Sequence, residues 1–95
     1  MSYEVVYTAL AEQDLIDILA YGIEIWGELQ AEKMYVQIIE QLEQLYFFPY
    51  RSKSKGSLGT RELLVGQQRY RAILQIHEEQ KQVLILRILH TSQDH

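Results

Sequence analysis

Residues 69–90 constrain the fold more than any other stretch. Arg69-Tyr-Arg-Ala-Ile-Leu-Gln-Ile-His77 and Gln82-Val-Leu-Ile-Leu-Arg-Ile-Leu-His90 are two runs rich in β-branched and large aliphatic residues, separated by the polar Glu78-Glu-Gln-Lys81. They predict two strands joined by a short turn. The second run is apolar almost without a break, as in a strand covered on both faces. Arginines nevertheless interrupt both runs. A guanidinium in a sheet must face water, a partner or a buried carboxylate, because burying it unpaired is very costly. The function of the chain therefore turns on what Arg71 and Arg87 meet.

Ninety-five residues predict a single domain, 1–95. At this size stability is modest and a partner matters. There is no cysteine, and His77, His90 and His95 lack zinc-motif spacing, so no metal and no thiolate chemistry is expected. No cofactor is expected either. No apolar run approaches a membrane span and no signal peptide is visible, so the expectation is a cytoplasmic protein that binds no membrane. The net charge of −4 hides a split. Residues 1–50 carry nine acids and one base, a net of −8; residues 51–95 carry eight bases and four acids, a net of +4. Either two surfaces meet different partners or the halves neutralise each other in the fold. The acidic sequence pI, ≈ 5.3, argues against strong non-specific nucleic-acid binding.

From the N-terminus, Tyr3, Val5 and Tyr7 alternate with Glu4, Val6 and Thr8, predicting a short strand that Thr8 ends as a helix N-cap. Ala11, Leu15, Ile18, Leu19, Gly22, Ile23 and Trp26 then form a helical stripe. Gly22 weakens that helix unless a neighbour packs closely on it. Gly27 is a natural joint, with Trp26 as its plug. A second stripe, Ala31, Met34, Tyr35, Ile38, Leu42 and Leu45, gives a second helix folded back on the first. It ends at Phe47-Phe48-Pro49. Residues 51–59 read as a loop, either solvated or using its three bases on phosphate. Thr60–Val65 is a further strand. The predicted fold class is α+β, with element order β-α-α-β-β-β. An antiparallel meander, joined by the first strand, carries a two-helix hairpin packed on one face.

Strand alternation assigns side chains to faces. Tyr70, Ala72, Leu74 and Ile76 suit the helices. With Leu84, Leu86, Ile88 and His90 on that same covered side, Arg61, Arg71 and Arg87 gather on the open face with Ile73, Ile85 and Leu89. An apolar patch studded with arginine suits a contact with another macromolecule. The plainer alternative pairs each arginine with Glu62 or a helix carboxylate. Tyr35 and Tyr70 are expected in the core, and His90 as a packed, hydrogen-bonded residue.

Taken together, the Ala9–Asp14 helix start, Trp26-Gly27 followed by Gln30-Ala31-Glu32 and Tyr35, Pro49, Tyr70-Arg71, and Arg87-Ile-Leu-His90 run in order over nearly the whole chain. In this the sequence resembles the RelE/ParE superfamily of small toxins from bacterial type II toxin–antitoxin modules. The resemblance implies the β-α-α-β-β-β fold, a cognate antitoxin encoded beside the gene, a toxin–antitoxin hetero-oligomer, and growth arrest through a cytoplasmic target. RelE-like members are ribosome-dependent endoribonucleases that cut mRNA, which needs a base for the 2′-hydroxyl and cations for the phosphate. ParE-like members poison DNA gyrase by protein–protein contact. Trp26-Gly27 is more similar to the ParE branch, and Thr91-Ser-Gln-Asp-His95 lacks the His-Tyr or Tyr-Lys/Arg ending of the nucleases. The acidic pI weakens the ribosome reading further. The ParE-like gyrase inhibitor is therefore favoured, with Arg61, Arg71, Ile73, Ile85, Arg87 and Leu89 as the target- or antitoxin-binding surface. The alternatives are a nuclease acting on ribosome-bound mRNA through Arg71, Arg87 and His90, and a non-toxic relic that binds only the antitoxin.

Overall fold

The computed structural model describes residues 2–56 and 58–93; Asp94 and His95, part of the ending compared with the nucleases, lie outside them. Strand β1 (Glu4–Tyr7) leads directly into helix α1 (Ala9–Trp26). Thr8 caps α1 as its sequence predicts: its extended backbone (φ −69°, ψ 163°) lets the hydroxyl oxygen accept from the Ala11 N–H at 3.0 Å. Helix α2 (Glu28–Glu43) returns antiparallel to α1, and a 3₁₀ turn, Gln44–Tyr46, extends it. At the joint Gly27 adopts φ +86°, a left-handed conformation that glycine takes without steric cost. Its N–H donates to the Ile23 carbonyl at 2.9 Å and its own carbonyl accepts from the Ala31 N–H at 3.0 Å. Gly22 has the close neighbour it needs: a Cβ built there would lie 3.1 Å from the Ala31 Cβ. Trp26 is not a plug. It is 38% exposed, with the Arg69 guanidinium 4.9 Å above its ring.

A second 3₁₀ turn, Pro49–Arg51, precedes β2 (Lys53–Lys55), β3 (Thr60–Val65), β4 (Tyr70–His77) and β5 (Gln82–His90). The strand order is β1-β5-β4-β3-β2. The meander β2-β3-β4-β5 is antiparallel, and β1 joins it parallel to β5, so the sheet is mixed. β2 falls within a stretch whose composition reads as loop. All three of its residues are exposed, so no apolar alternation marks it, and backbone pairing to β3 alone makes it a strand.

The core lies between hairpin and sheet. Ala11 and Leu15 of α1, Ile38 and Leu42 of α2, and Leu45 meet Val65, Tyr70, Ala72, Leu74, Val83, Ile85 and Ile88. β4 alternates as expected. β5 does not: Arg87 lies opposite Ile73 while Ile85 lies opposite Leu74, leaving Leu86 as an extra residue, a β-bulge. The bulge shifts the phase of the strand. Val83 and Ile85 face the helices before it, Ile88 after it. The expected covered set of Leu84, Leu86, Ile88 and His90 therefore holds only beyond the bulge.

Candidate functional site

The open face of the sheet is built by the residues that alternate away from the core: Glu62 and Leu64 on β3, Arg71 and Ile73 on β4, Leu89 on β5. Register sets them side by side, since Leu64 and Leu89 flank Arg71 and Ile73 lies beside Glu62. Leu64 is 47% exposed; Ile73 and Leu89 are half-buried. Arg71 forms an ion pair with Glu62, and both side chains are largely screened from water. A charge pair so placed sits inside an apolar surround rather than projecting from it.

The other arginines of the predicted cluster end elsewhere: Arg61 lies on the opposite face, and Arg87, which shares the open face with Ile73 by register, turns its guanidinium away to helix α1. Arg61 pairs in register with Leu74, which puts it on the helix-facing side beyond the core. Its Nε donates to Ser52 Oγ at 2.9 Å and an Nη to the Ser52 carbonyl at 2.5 Å, and its guanidinium lies 5.0 Å from the Tyr50 ring centre. The face assignment failed because Arg61 shares parity with Leu63 and Val65, which pack on the core. Ile85 is fully buried, since the bulge keeps it inside, and it cannot contact a partner. Arg87 leaves the sheet edge for helix α1: Nε and an Nη donate to the Asp14 carboxylate at 2.8 and 3.0 Å. These bonds hold the Arg87 pKa above its ordinary value. The same carboxylate accepts from the Ile88 backbone N–H at 2.8 Å. The three guanidinium groups thus end on Ser52, Glu62 and Asp14, not on one surface.

His90 lies opposite Tyr70 on the helix-facing side, its ring edge-to-face with the tyrosine at 5.2 Å. The Ser92 backbone N–H points at Nδ1 at 3.1 Å, and Ser92 Oγ lies 2.6 Å from the same atom. A backbone N–H can only donate, so Nδ1 is the acceptor in that contact. Arg87 and His90 line one groove of about 500 Å³ with Asp14, Ile18, Tyr21 and Tyr70. Arg71 is not in it; it projects from the opposite face of the sheet. Burial raises the Tyr70 hydroxyl pKa, so the phenol stays neutral.

Sequence reasoning passed over a second constellation. The hydroxyls of Tyr3 and Tyr50 both donate to the Glu78 carboxylate, Tyr3 at 2.9 Å, and Lys81 lies 3.4 Å from it. The two phenol bonds, Tyr50 first, hold Glu78 below the usual carboxylate range. A clue was available in the four aromatics at positions 46, 47, 48 and 50. Among the described residues no group of three or more histidines or carboxylates could hold a metal ion, and no helix is long and apolar enough to cross a membrane.

Comparison with solved structures places this geometry. A chromosomal ParDE system from P. aeruginosa superposes with a TM-score of 0.83 at 23% identity, covering 94% of this chain and 96% of that one. The RelBE2 toxin–antitoxin complex from Mycobacterium tuberculosis gives 0.65 at 24% identity, covering 95% and 99%. The isolated E. coli RelE toxin gives 0.58 at 14% identity, covering 94% and 84%. No curated protein matches the chain by sequence. Residues 5–95 match the family described as the ParE toxin of the type II toxin–antitoxin system parDE. A family match over nearly the full length, on a two-helix and five-strand α+β fold, makes the chain a member of the ParE toxin family.

Proposed function

We propose that this toxin arrests growth by binding DNA gyrase through protein–protein contact, and that a cognate antitoxin neutralises it by covering the open sheet face. One observation carries the first half. Arg71, Arg87 and His90, the trio an endoribonuclease would need around one phosphate, do not converge: Arg71 and Arg87 share the open face by register, but the Arg87 guanidinium turns to Asp14 on helix α1, His90 lies on the helix-facing side, and both arginines are neutralised by carboxylates. A phosphoryl transition state needs cations free to meet its growing charge. Glu62 and Asp14 oppose that use. Membership of the ParE family supports gyrase as the target.

Support for the antitoxin comes from the apolar open face and from the similarity to structures of toxin–antitoxin systems, the ParDE system and the RelBE2 complex. Leu64, Ile73 and Leu89 around the Arg71–Glu62 pair make the surface such a partner would cover. The test is a supercoiling assay with purified gyrase and relaxed plasmid. The toxin is expected to block supercoiling and leave cleaved DNA–gyrase complexes, and antitoxin is expected to reverse both. Unimpaired supercoiling with codon-register cuts in translated transcripts, abolished by Arg71→Ala, would replace this reading with the nuclease. Harmless expression without antitoxin would leave only the antitoxin-binding relic.

A further inference from the structure

The segment from residue 44 to 61 carries no acid and four bases, in a chain whose net charge is −4. It also holds the densest exposed aromatic surface among the described residues. Phe47 is 64% exposed and Phe48 56%, with Tyr46 and Tyr50 beside them. Phe47, Phe48 and Tyr50 line a hollow of about 460 Å³ that Pro49 and Arg51 complete, a ledge that Tyr46 borders. Two cations belong to the ledge itself: Arg51 lies 5.2 Å from the Phe48 ring centre and Arg61 5.0 Å from that of Tyr50. Lys53 and Lys55, both exposed, continue the positive field along the edge strand β2. The acid opposite Lys53 in register is Glu62, already paired with Arg71.

The ledge is also held in place. The Tyr50 hydroxyl bonds to Glu78 on the β4–β5 turn, Tyr3 bonds to the same carboxylate, and the Tyr3 N–H donates to the Tyr46 carbonyl at 2.8 Å. Arg51 donates to Gln44 Oε1 at 2.5 Å, and Ser52 Oγ, itself buried, donates to the Pro49 carbonyl at 2.7 Å. These bonds fix the Tyr50 ring and the backbone that presents Phe47 and Phe48, so the segment needs little ordering on binding, which favours an interface anchor.

Charge and ring geometry point to the occupant. We infer that this ledge is a docking surface for an acidic segment of a partner protein, with apolar side chains seated on Phe47 and Phe48 and carboxylates meeting Arg51, Lys53 and Lys55. Basic, aromatic surfaces also bind single-stranded nucleic acid, where successive bases stack on open ring faces. These rings are not set for that. Tyr46 and Phe47 are edge-to-face at 82° and Phe47 and Phe48 are tilted by 50°, so they shape a knob rather than a row of platforms. One face of the Phe48 ring and one of the Tyr50 ring are occupied by arginines, which breaks any run of stacking faces.

The inference rests on the protein-contact reading of the toxin but does not require gyrase. Its test is an NMR titration of the isotope-labelled full chain with a 12-residue peptide of Asp and Glu alternating with Leu and Phe, and in parallel with a 12-nucleotide single-stranded RNA. The peptide is expected to shift resonances of residues 46–61 saturably. Phe48→Ser and Arg51→Gln are each expected to weaken it about tenfold, and Lys53→Gln/Lys55→Gln to reduce its salt dependence. Unchanged amide dispersion outside 46–61 shows that the variants are folded. A peptide that leaves the ledge unmoved, or RNA that binds there more tightly, overturns the inference. Failure of the supercoiling assay with a positive titration removes gyrase alone; a silent titration with gyrase inhibited removes the ledge alone.

Discussion

Replacing Asp14 by alanine is expected to destabilise the toxin more than any other single change to a helix carboxylate. The Asp14 carboxylate accepts from the Arg87 Nε and Nη and from the Ile88 backbone N–H, at 2.8, 3.0 and 2.8 Å. Its side chain is 12% exposed, so the alanine variant admits little water to replace these acceptors. A hydrogen bond to a charged group contributes about 1.5–3 kcal/mol, and a stranded buried donor costs about 1–3 kcal/mol. The Arg87 share must be discounted, because 41% of that side chain is in water and solvent screens the pair. The Ile88 N–H has no such relief. The sum is about 2–3 kcal/mol, a large part of the roughly 5–14 kcal/mol expected of a domain this size. It corresponds to a fall in Tm of roughly 10–20 °C. Urea unfolding of the purified variants measures it. Arg87→Met is expected to cost about 1 kcal/mol, since Asp14 keeps the Ile88 N–H and loses only the screened partner. Asp17→Ala removes only an acceptor for the Gln13 amide and should stay within about 0.5 kcal/mol. If Asp14→Ala is no worse than Asp17→Ala, the carboxylate does not hold helix to sheet and the reasoning fails.

Three further outcomes follow from local geometry. Gly66→Ala is expected to cost about 2–3 kcal/mol by urea unfolding, because Gly66 sits at φ +60° and a Cβ there would come 3.0 Å from Ile38 Cγ1 and 3.2 Å from Tyr70 Cδ2. Gly22→Val should destabilise by about 1–3 kcal/mol through the 3.1 Å approach to the Ala31 Cβ, and adding Ala31→Gly, which removes the opposing methyl, should recover part of that loss. Tyr50→Phe should move the Glu78 titration up toward the ordinary carboxylate range, read by carbon-detected NMR. Because the Glu78 pKa is depressed in the fold, its contribution is present above the unfolded value and is lost as pH falls through the folded one. The stability gap between wild type and Tyr50→Phe should therefore close on acidification.

The elements were legible because their signals are local. Thr8, the two apolar stripes and Gly27 each fix a piece of helix without help from the rest of the chain. Strands β3, β4 and β5 announced themselves by composition. The faces of β5 were not legible, and the reason is the sequence itself: Val83-Leu-Ile-Leu86 is aliphatic at every position, so either phase buries something apolar. Arg87 and Ile88 fix the phase only after Leu86 has been skipped, and nothing local marks that residue as a bulge. Arg61 was misplaced for a different cause. Its parity with Leu63 and Val65 was plain in the sequence, but an arginine in line with core residues is expected to turn outward, and only the nearby Ser52 and Tyr50 give it somewhere to end on the inner side.

The bulge also explains why one edge of the sheet closes. β1 has four residues and β5 nine, so beyond Tyr7 the backbone of β5 would lie open as a template for a foreign strand. Helix α1 takes over where β1 stops. The Thr8 N–H donates to the Ile85 carbonyl at 3.0 Å, and the Thr8 hydroxyl, while accepting from Ala11, donates to the Leu86 carbonyl at 2.8 Å. Asp14 then takes the Ile88 N–H and the Arg87 guanidinium. An acid from the negative half thus meets a base from the positive half at the place where backbone pairing runs out. That leaves the far edge, Lys53–Lys55, where three exposed residues with two positive charges border the aromatic ledge. Lysines on an edge strand discourage like copies from pairing there, yet they suit a partner that brings carboxylates. The sheet thus has one edge sealed by Thr8 and Asp14 and the other exposed and positively charged.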